Sequence, residues 1–584
     1  MRVLLLHRDD DLSGPWSRQR WDLIVDLGRA PQSLYDEWSR QQGCPVRSIW
    51  SLARELEDLE EHRKLLEAGL GRLVDGPGMD ERNLDWWDLV FPSLQAELED
   101  VLLLSRLAKE IPGCRELVTS RPVPRARVLG FALGCRITAW QEGLWSRFSV
   151  RRSRYRAAWR NLSHQQIRQV VFDKYDTGYA WRRRWAGKSK ASSSPAVLLP
   201  SAYVNVSRTA VAHARSLPEQ RFLLVLARES AAIPNLPANV ACTRLASYAV
   251  SPTVWRRELA VLQQRWTGLT QELRQHPVLD LAGRVGVLDL GRAWLRLAVP
   301  VRHAWNEVFR KENIVGCLSA DDSNPYTRIP LIVAQQRGKA ALACHHGALD
   351  LRMAFKLPHA DHYLAQGPME EDYLLRVCGL GPDSILVGDG LPQQSPPPAT
   401  RDGWQPWIVF FSDSYETDVW RAESVFAEIL PPLCEIARRS GRNLVVKLHP
   451  FESLRQRREM LLHLLAPADF AVIEIIADPL STEMLKKIWF AVTVESTTAL
   501  ECVCAGVPAF LMGWLRHAYS GYALQFARFG AGQLLDSAAD LARIPELLAV
   551  PVAADVQTKL RRPLSPERLS AALTHQSAGT ARMG

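Results

Sequence analysis

The chain has 584 residues, of which 47% are hydrophobic and 23% are charged, and its formal net charge is +9. This composition is typical of a globular protein with more than one core, and it excludes a disordered or fibrous chain. No segment reaches the roughly 20 uninterrupted apolar residues that a membrane helix requires, and the apolar start at residues 3–6 is too short for a signal-peptide core, so we expect a cytoplasmic protein.

Two apolar runs near the start of the chain, residues 3–7 and 21–28, predict short strands. Leucines at three- and four-residue spacing predict helices over 51–73 and 93–110. We therefore expect region 1–190 to combine a small sheet with a large helical part.

The most basic part of the chain is residues 151–190, which hold twelve Arg and Lys against two Asp, with Trp and Tyr interleaved. Three interpretations fit: a solvated helical face, a surface held against the anionic inner membrane, or a binding surface for a polyanionic acceptor. No nucleic-acid-binding motif accompanies the charge, so no nucleic-acid partner is expected. If this segment is held against the inner membrane, the protein is cytoplasmic and peripheral to that membrane.

Between residues 196 and 390, apolar runs alternate with helical patterns. Strands are predicted at 196–200, 222–226, 313–319, 340–344 and 385–390. Helices are predicted at 206–216 and 328–337 and over most of 253–313. This alternation is typical of a mostly parallel sheet with helices on its faces.

A Pro-rich stretch, residues 391–406, is the clearest linker in the sequence. A second alternating unit follows it, with strands predicted at 407–411, 443–448, 470–476 and 490–494. The predicted fold class is α/β, with two Rossmann-like parallel-sheet domains facing each other across a cleft and extra helices in the amino-terminal half. The predicted domains are an acceptor domain over 1–390 with a sub-boundary near 190, the linker 391–406, a donor domain over 407–550 and a tail over 551–584.

Ligands of parallel sheets bind beyond the carboxyl ends of the strands, and His449 stands at such an end. The apolar run 445–448 delivers this histidine, and Pro450 stops the strand. An imidazole there can donate a hydrogen bond to a phosphate or protonate a leaving group, and Lys447 can add positive charge. The alternative is a histidine that only caps a turn.

Three hydroxyl residues, Ser496, Thr497 and Thr498, follow the strand 490–494 and precede a predicted helix. They can cap that helix, or they can bind phosphate together with the free N–H groups of its first turn. Glu501 lies one turn into the helix, where a carboxylate can accept hydrogen bonds from the hydroxyls of a ribose.

Strand ends before the linker carry further candidates. His345 and His346 follow the strand 340–344, and Asp321 and Asp322 follow the strand 313–319. One histidine can act as a base toward an acceptor hydroxyl, and only one of the two aspartates can face the cleft because neighbouring strand residues point in opposite directions. Turn formation is the alternative for the aspartates.

The acidic run Asp9 to Asp11 is a weaker candidate for a functional site. No HExxH-type helix or carboxylate cluster surrounds the histidine pair, and the ten cysteines show no zinc-like spacing. We therefore expect no metal site and no cofactor.

Three short motifs, His449-Pro450, ESTTALE at 495–501 and AGVP at 505–508, together resemble the GT-B enzymes of bacterial envelope polymers. That group includes sialyl- and polysialyltransferases, capsule Kdo transferases and CDP-glycerol glycerophosphotransferases. The resemblance covers about residues 313–515. It implies that the donor phosphate is held by His449, Ser496, Thr497 and Thr498.

The same resemblance implies that Glu501 binds the ribose and that His346, in the pair His346-Gly347, is the base. The implied function is transfer of a sugar from a nucleotide-activated donor, with CMP favoured, to a growing bacterial surface polysaccharide or glycolipid. A base, His346 or Asp322, would deprotonate the acceptor while His449 stabilises the leaving phosphate, and closure about the linker would exclude water.

Three alternatives stay open. A CDP-alcohol phosphotransferase of the glycerol type would use the same phosphate site. A sugar-nucleotide 2-epimerase would share the architecture but need no acceptor. A non-catalytic glycan-assembly protein would bind no nucleotide.

Overall fold

The fold is seen in a computed structural model. It describes residues 1–7, 10–12, 15–52, 61, 86–120, 124–139, 193–322, 324–345, 360–388, 403–413, 421–449, 452–494, 496–515, 522–549, 552–553 and 555–574. Several predictions lie outside these ranges: the basic segment 151–190, His346, Pro450, nearly all of the helix over 51–73 and most of the linker 391–406.

The first part of the chain forms a five-stranded parallel sheet. Its strands are β1 (Arg2–Leu6), β2 (Leu23–Asp26), β3 (Val46–Ser48), β4 (Glu116–Thr119) and β5 (Arg136–Ala139), in the order β3-β2-β1-β4-β5. Its helices are α1 (Gln32–Gln42), α2 (Trp86–Glu110) and α3 (Pro124–Leu133). The predicted helix over 93–110 is thus the carboxyl part of α2, whose leucines, such as Leu94 and Leu98, are fully buried.

The middle part forms a seven-stranded parallel sheet. Its strands are β6 (Ala196–Ser201), β7 (Phe222–Leu226), β8 (Val240–Arg244), β9 (Ile314–Ser319), β10 (Ala340–Ala343), β11 (His362–Ala365) and β12 (Ile385–Val387), in the order β12-β11-β10-β9-β6-β7-β8. Its helices are α4 (Val204–Arg215), α5 (Pro252–Leu273), α6 (Pro277–Arg284), α7 (Leu290–Lys311), α8 (Pro325–Gln336) and α9 (Pro368–Arg376). Every residue of β6 and β7 is buried, which explains their continuous apolar runs.

The last part forms a six-stranded parallel sheet. Its strands are β13 (Trp407–Phe411), β14 (Asn443–Lys447), β15 (Ile473–Ile476), β16 (Ile488–Thr493), β17 (Ala509–Met512) and β18 (Gln533–Leu535), in the order β15-β14-β13-β16-β17-β18. Its helices are α10 (Ala422–Ser440), α11 (Leu454–Leu464), α12 (Pro467–Phe470), α13 (Thr482–Lys487), α14 (Thr498–Cys504), α15 (Tyr522–Arg528) and α16 (Ile544–Leu547).

The end of the chain returns from the third sheet to the second. Helix α17 (Val556–Leu560) contacts α9 and α14, and α18 (Pro566–Thr574) packs on β9 and β10. A Cβ added at Gly316, within β9, would lie 2.5 Å from the carbonyl oxygen of Leu573. Residues 555–574 of the predicted tail are therefore docked, and they connect two sheets.

The α/β class with parallel Rossmann-like sheets is confirmed, and the described residues form three such sheets. The sequence predicted only a small sheet in the first 190 residues because β3, β4 and β5 span just three or four residues each. The predicted domain bounds remain predictions. Among the helices in the described ranges, none is sufficiently long and apolar to span a bilayer.

Candidate functional site

The strand order gives each sheet a switch point, where the chain crosses from one side of its first strand to the other. These points lie between β1 and β4, between β6 and β9, and between β13 and β16. A crevice forms at the carboxyl edge of a parallel sheet where the strand order reverses, and ligands bind there. The described candidate residues lie at these three edges.

In the third sheet, the end of β13 connects the two halves of the predicted phosphate site. Phe411 pairs with Lys447 of β14 on one side and with Thr493 of β16 on the other. The Ser412 amide donates to the Lys447 carbonyl at 3.0 Å, and the Thr493 hydroxyl donates to the Phe411 carbonyl at 3.1 Å. Because β14 and β16 both flank β13, their ends are about 10 Å apart.

His449 follows β14 in a turn that a buried carboxylate holds. Glu452 accepts the His449 amide at 2.8 Å and the Ser412 hydroxyl at 2.9 Å. Arg457 pairs with the same carboxylate, and both of these charged side chains are almost fully buried. The turn that carries His449 is therefore fixed to the end of β13.

Burial and the neighbouring Lys447 charge lower the pKa of His449 to about 4. The imidazole is therefore neutral at pH 7, with a single N–H to donate. Lys447 is itself buried, which lowers its pKa, and its ammonium donates to the Leu448 carbonyl at 2.8 Å.

Ser496 lies three residues after the end of β16, and its amide donates to the Thr493 hydroxyl at 3.2 Å. The Thr498 hydroxyl donates to the Ser496 hydroxyl at 2.9 Å, whereas Thr497 is the first flanking residue of the helix and makes no side-chain capping bond. Ser496 and Thr497 thus precede the helix in a short hydrogen-bonded turn, and Thr498 is the first helical residue.

Glu501 lies inside α14, in the same electrostatic neighbourhood as Lys447. Burial raises the pKa of Glu501, and the positive charges of Arg561 and Lys447 oppose that effect. Arg561 directly follows α17, so the returning end of the chain brings a cation to this carboxylate. The structure thus brings together Lys447, His449, Ser496, Thr498 and Glu501 at one sheet edge.

The second sheet separates the two predicted aspartates into different roles. Asp321 accepts hydrogen bonds from the Asn324 side-chain Nδ2 at 2.7 Å and from the Thr327 hydroxyl at 3.4 Å, as is typical of a turn. Asp322, 1% exposed, lies 3.4 Å from His345 Nε2 and accepts from the Tyr363 hydroxyl at 3.4 Å. The structure therefore places Asp322 beside the His345 ring, within ion-pair distance of Nε2.

Sequence reasoning missed other charged groups at the same edge. Arg228 follows β7 and is buried, with its guanidinium 4.9 Å from the Tyr203 ring and 5.4 Å from the Tyr326 ring. Arg328, in α8, is 1% exposed. For Arg228 the available signal was the one used for His449: a basic residue soon after an apolar strand, here two residues after 222–226.

At the edge of the first sheet, Asp10 of the acidic run has a structural role. Its carboxylate accepts the His7 amide at 2.9 Å and the Ser120 hydroxyl at 2.7 Å. The His7 ring lies 2.9 Å from the Thr119 hydroxyl. Within the described ranges, no three His, Cys, Asp or Glu side chains converge as metal ligands.

Fold and site define an α/β protein whose polar groups gather at the switch points of three Rossmann-like sheets. No protein-family model matches the chain, and no curated protein matches it. Among solved structures it is similar to a Listeria monocytogenes protein assigned as a UDP-N-acetylglucosamine 2-epimerase, with a TM-score of 0.40 and 13% identity over 67% of this chain and 99% of that one.

Two other solved structures illustrate the range of similar proteins. UDP-GlcNAc 2-epimerase from Methanocaldococcus jannaschii, in complex with UDP-GlcNAc and UDP, has a TM-score of 0.37 and 12% identity over 65% of this chain and 99% of that one. MurG from Acinetobacter baumannii gives a TM-score of 0.37 and 12% identity over 65% and 99%.

Proposed function

We propose that the chain is a glycosyltransferase that moves a sugar from a nucleotide-activated donor to the hydroxyl of an acceptor. One observation carries this proposal: hydrogen bonds tie the His449 turn, through Glu452, and the Ser496 amide, through the Thr493 hydroxyl, to the end of β13, beside the switch point of the third sheet. An imidazole N–H and short alcohols around one crevice suit a phosphate, and Glu501 suits the adjoining ribose.

In the proposed reaction, the acceptor oxygen attacks the anomeric carbon of the donor sugar. The bond from that carbon to the donor phosphate oxygen breaks, and the phosphate leaves with the electron pair, stabilised by His449 and the hydroxyls. The acceptor proton passes to a base of the second sheet. His345 suits this role because its Nε2 lies 3.4 Å from the buried carboxylate of Asp322, whose charge favours an imidazole that takes up a proton. His346 and Asp322 stay the bases predicted from the sequence.

The proposed acceptor is a bacterial surface polysaccharide or glycolipid, as in capsule and envelope synthesis. The basic segment 151–190 is the part of the protein that we propose contacts the inner membrane. A CMP-linked donor is proposed first. The tests below distinguish this donor from CDP-, UDP- and GDP-linked donors. They also distinguish the transferase from a CDP-alcohol phosphotransferase and from an epimerase.

The test is a thermal-shift screen with CMP, CDP, UDP and GDP, since a ligand that binds only the folded state raises the melting temperature. We expect one nucleotide to raise it and His449→Ala to abolish most of the shift. With the matching donor and an acceptor, His449→Ala should lower turnover at least about tenfold, the effect of losing one charge-stabilising contact. Unchanged turnover removes His449 from the mechanism.

A parallel incubation of the donor alone, followed by NMR, separates the alternatives. An epimerised nucleotide sugar without acceptor identifies a 2-epimerase. Transfer of a phospho-alcohol from a CDP-alcohol identifies the phosphotransferase. Failure of all four nucleotides to bind identifies a non-catalytic protein.

A further inference from the structure

The crevice at the carboxyl edge of the first sheet is filled by an arginine from another part of the chain. Arg421, the residue before α10, is buried there. Its Nε and Nη2 donate to the Asp26 carboxylate at 3.1 and 2.7 Å, and Nη2 also donates to the His7 carbonyl at 2.8 Å. Nη1 donates to the Asp10 carbonyl, and the guanidinium lies 4.8 Å from the Trp38 ring.

This crevice is built for a cation. In dinucleotide-binding sheets, the turn after the first strand is rich in glycine and approaches phosphate. Here the residues after β1 read His7-Arg8-Asp9-Asp10-Asp11, without glycine. The oxygen atoms that face the Arg421 guanidinium belong to a carboxylate and two carbonyl groups, which accept hydrogen bonds and match its forked donors.

Further contacts hold the start of α10 against the first sheet. The Arg421 amide donates to the Arg29 carbonyl at 2.6 Å. Glu428, about two turns into α10, accepts the Ser33 hydroxyl of α1 at 2.7 Å and the Trp514 indole N–H, from the residues after β17, at 2.7 Å. Elements of the first and third sheets are thus joined around α10.

The helix that Arg421 precedes also contacts the support of the candidate phosphate site. The Phe426 ring of α10 lies 4.4 Å from the Arg457 guanidinium, and Arg457 pairs with Glu452. Glu452 in turn accepts the His449 amide and the Ser412 hydroxyl. A chain of contacts thus leads from the start of α10 to the residues that carry His449.

We propose that Arg421 is a positioning residue: by docking in the acidic crevice of the first sheet, it holds the end of β13 in the geometry that binds the donor. The first sheet then serves as a receptor for a guanidinium of its own chain. The docking part stands on the contacts alone, and the effect on donor binding rests on the proposed function.

The docking part is tested by hydrogen exchange in Arg421→Ala and Asp26→Asn. The Ser412 amide, which donates to Lys447, should exchange at least about tenfold faster in both variants, because exchange reports local opening. The matched control is Arg439→Ala, in the same helix but 79% exposed, which should exchange like the unmodified chain. Equal exchange in all variants overturns the proposal. If Arg421→Ala does not fold, Arg421→Lys serves, since it keeps the charge but loses the fork.

The binding part is tested by kinetics with the donor. In Arg421→Ala, the fraction of molecules whose β13 end has the donor-binding geometry should fall. If it falls to about one tenth, the KM for the donor rises about tenfold while kcat changes little. Millimolar guanidinium ion should restore the KM of Arg421→Ala and leave Arg439→Ala unaffected. A fall in kcat at constant KM, or no rescue, overturns the positioning role. If the unmodified chain binds no nucleotide, the proposed function fails, and the exchange result still decides the docking.

Discussion

The imidazole of His449 is neutral at physiological pH because it is buried beside the ammonium of Lys447, and its pKa is lowered to about 4. A neutral imidazole costs less to bury than a charged one. The lowered pKa of His449 also makes the stability of the fold depend on pH. The unfolded imidazole titrates near 6.5, so the unfolded chain takes up the proton first, and the folded state loses stability as the pH falls from about 6.5 toward 4.

Binding of a nucleotide should raise the pKa of His449, because a phosphate beside the ring favours the protonated form. We expect NMR titration of the free protein to place this histidine near pH 4 and saturating nucleotide to move it upward. His213 is the internal control. Burial alone lowers its pKa to about 4, and it lies in α4 of the second sheet, away from the phosphate site, so nucleotide should not change its titration. A His449 titration that nucleotide leaves in place would contradict direct contact with phosphate.

Helix α11 carries the support of the His449 turn on one face and solvated charges on another. Arg457 is buried against Glu452, with its guanidinium 4.4 Å from the Phe426 ring. Arg455, two residues earlier, is 79% exposed and pairs with Glu459 one turn away. The same residue type thus has two different environments in one helix.

This contrast gives a matched pair of variants. Arg457→Ala leaves the Glu452 carboxylate buried without its countercharge, and we expect the free energy of unfolding to fall by about 3–5 kcal/mol. Arg455→Ala should leave the melting temperature unchanged, because exposed pairs contribute little. Denaturant titration followed by circular dichroism measures both. Equal effects of the two substitutions would show that Glu452 does not depend on Arg457.

The sequence predicted elements best where an apolar run is long and ends at a polar residue. The strands before His449 and Ser496 were found in this way, as was the run before Asp321. Glu452 and Arg457 gave no signal, because their importance comes from a shared buried network and not from a local pattern. The Arg421–Asp26 pair joins residues 395 positions apart, and no spacing rule reaches that far.

On the scale of the whole molecule, the three sheets are joined by more than the predicted linker. Arg421 joins the first to the third, and the returning helices α17 and α18 join the third to the second. Arg528 and Arg376 add polar contacts between the second and third parts through Asp372 and Gln525, at 2.9 and 3.0 Å. A hinge motion about residues 391–406 would therefore have to carry these contacts with it or break them.

Gly316 lies against α18, the last helix of the returning segment 555–574, and this contact can be tested. Gly316 lies in β9 where the backbone of α18 approaches closely, so a methyl group there has no space. Gly316→Ala should lower the free energy of unfolding by about 1–3 kcal/mol, the cost of overpacking. It should also speed trypsin cleavage after Arg568, an exposed residue of α18, because cleavage requires the helix to unfold locally. Gly381→Ala is the control, because nothing lies within 4 Å of its added Cβ and its φ of −72° suits alanine. Equal trypsin resistance of the two variants would show that α18 does not depend on its contact with β9, and the returning segment would then not join the second and third sheets.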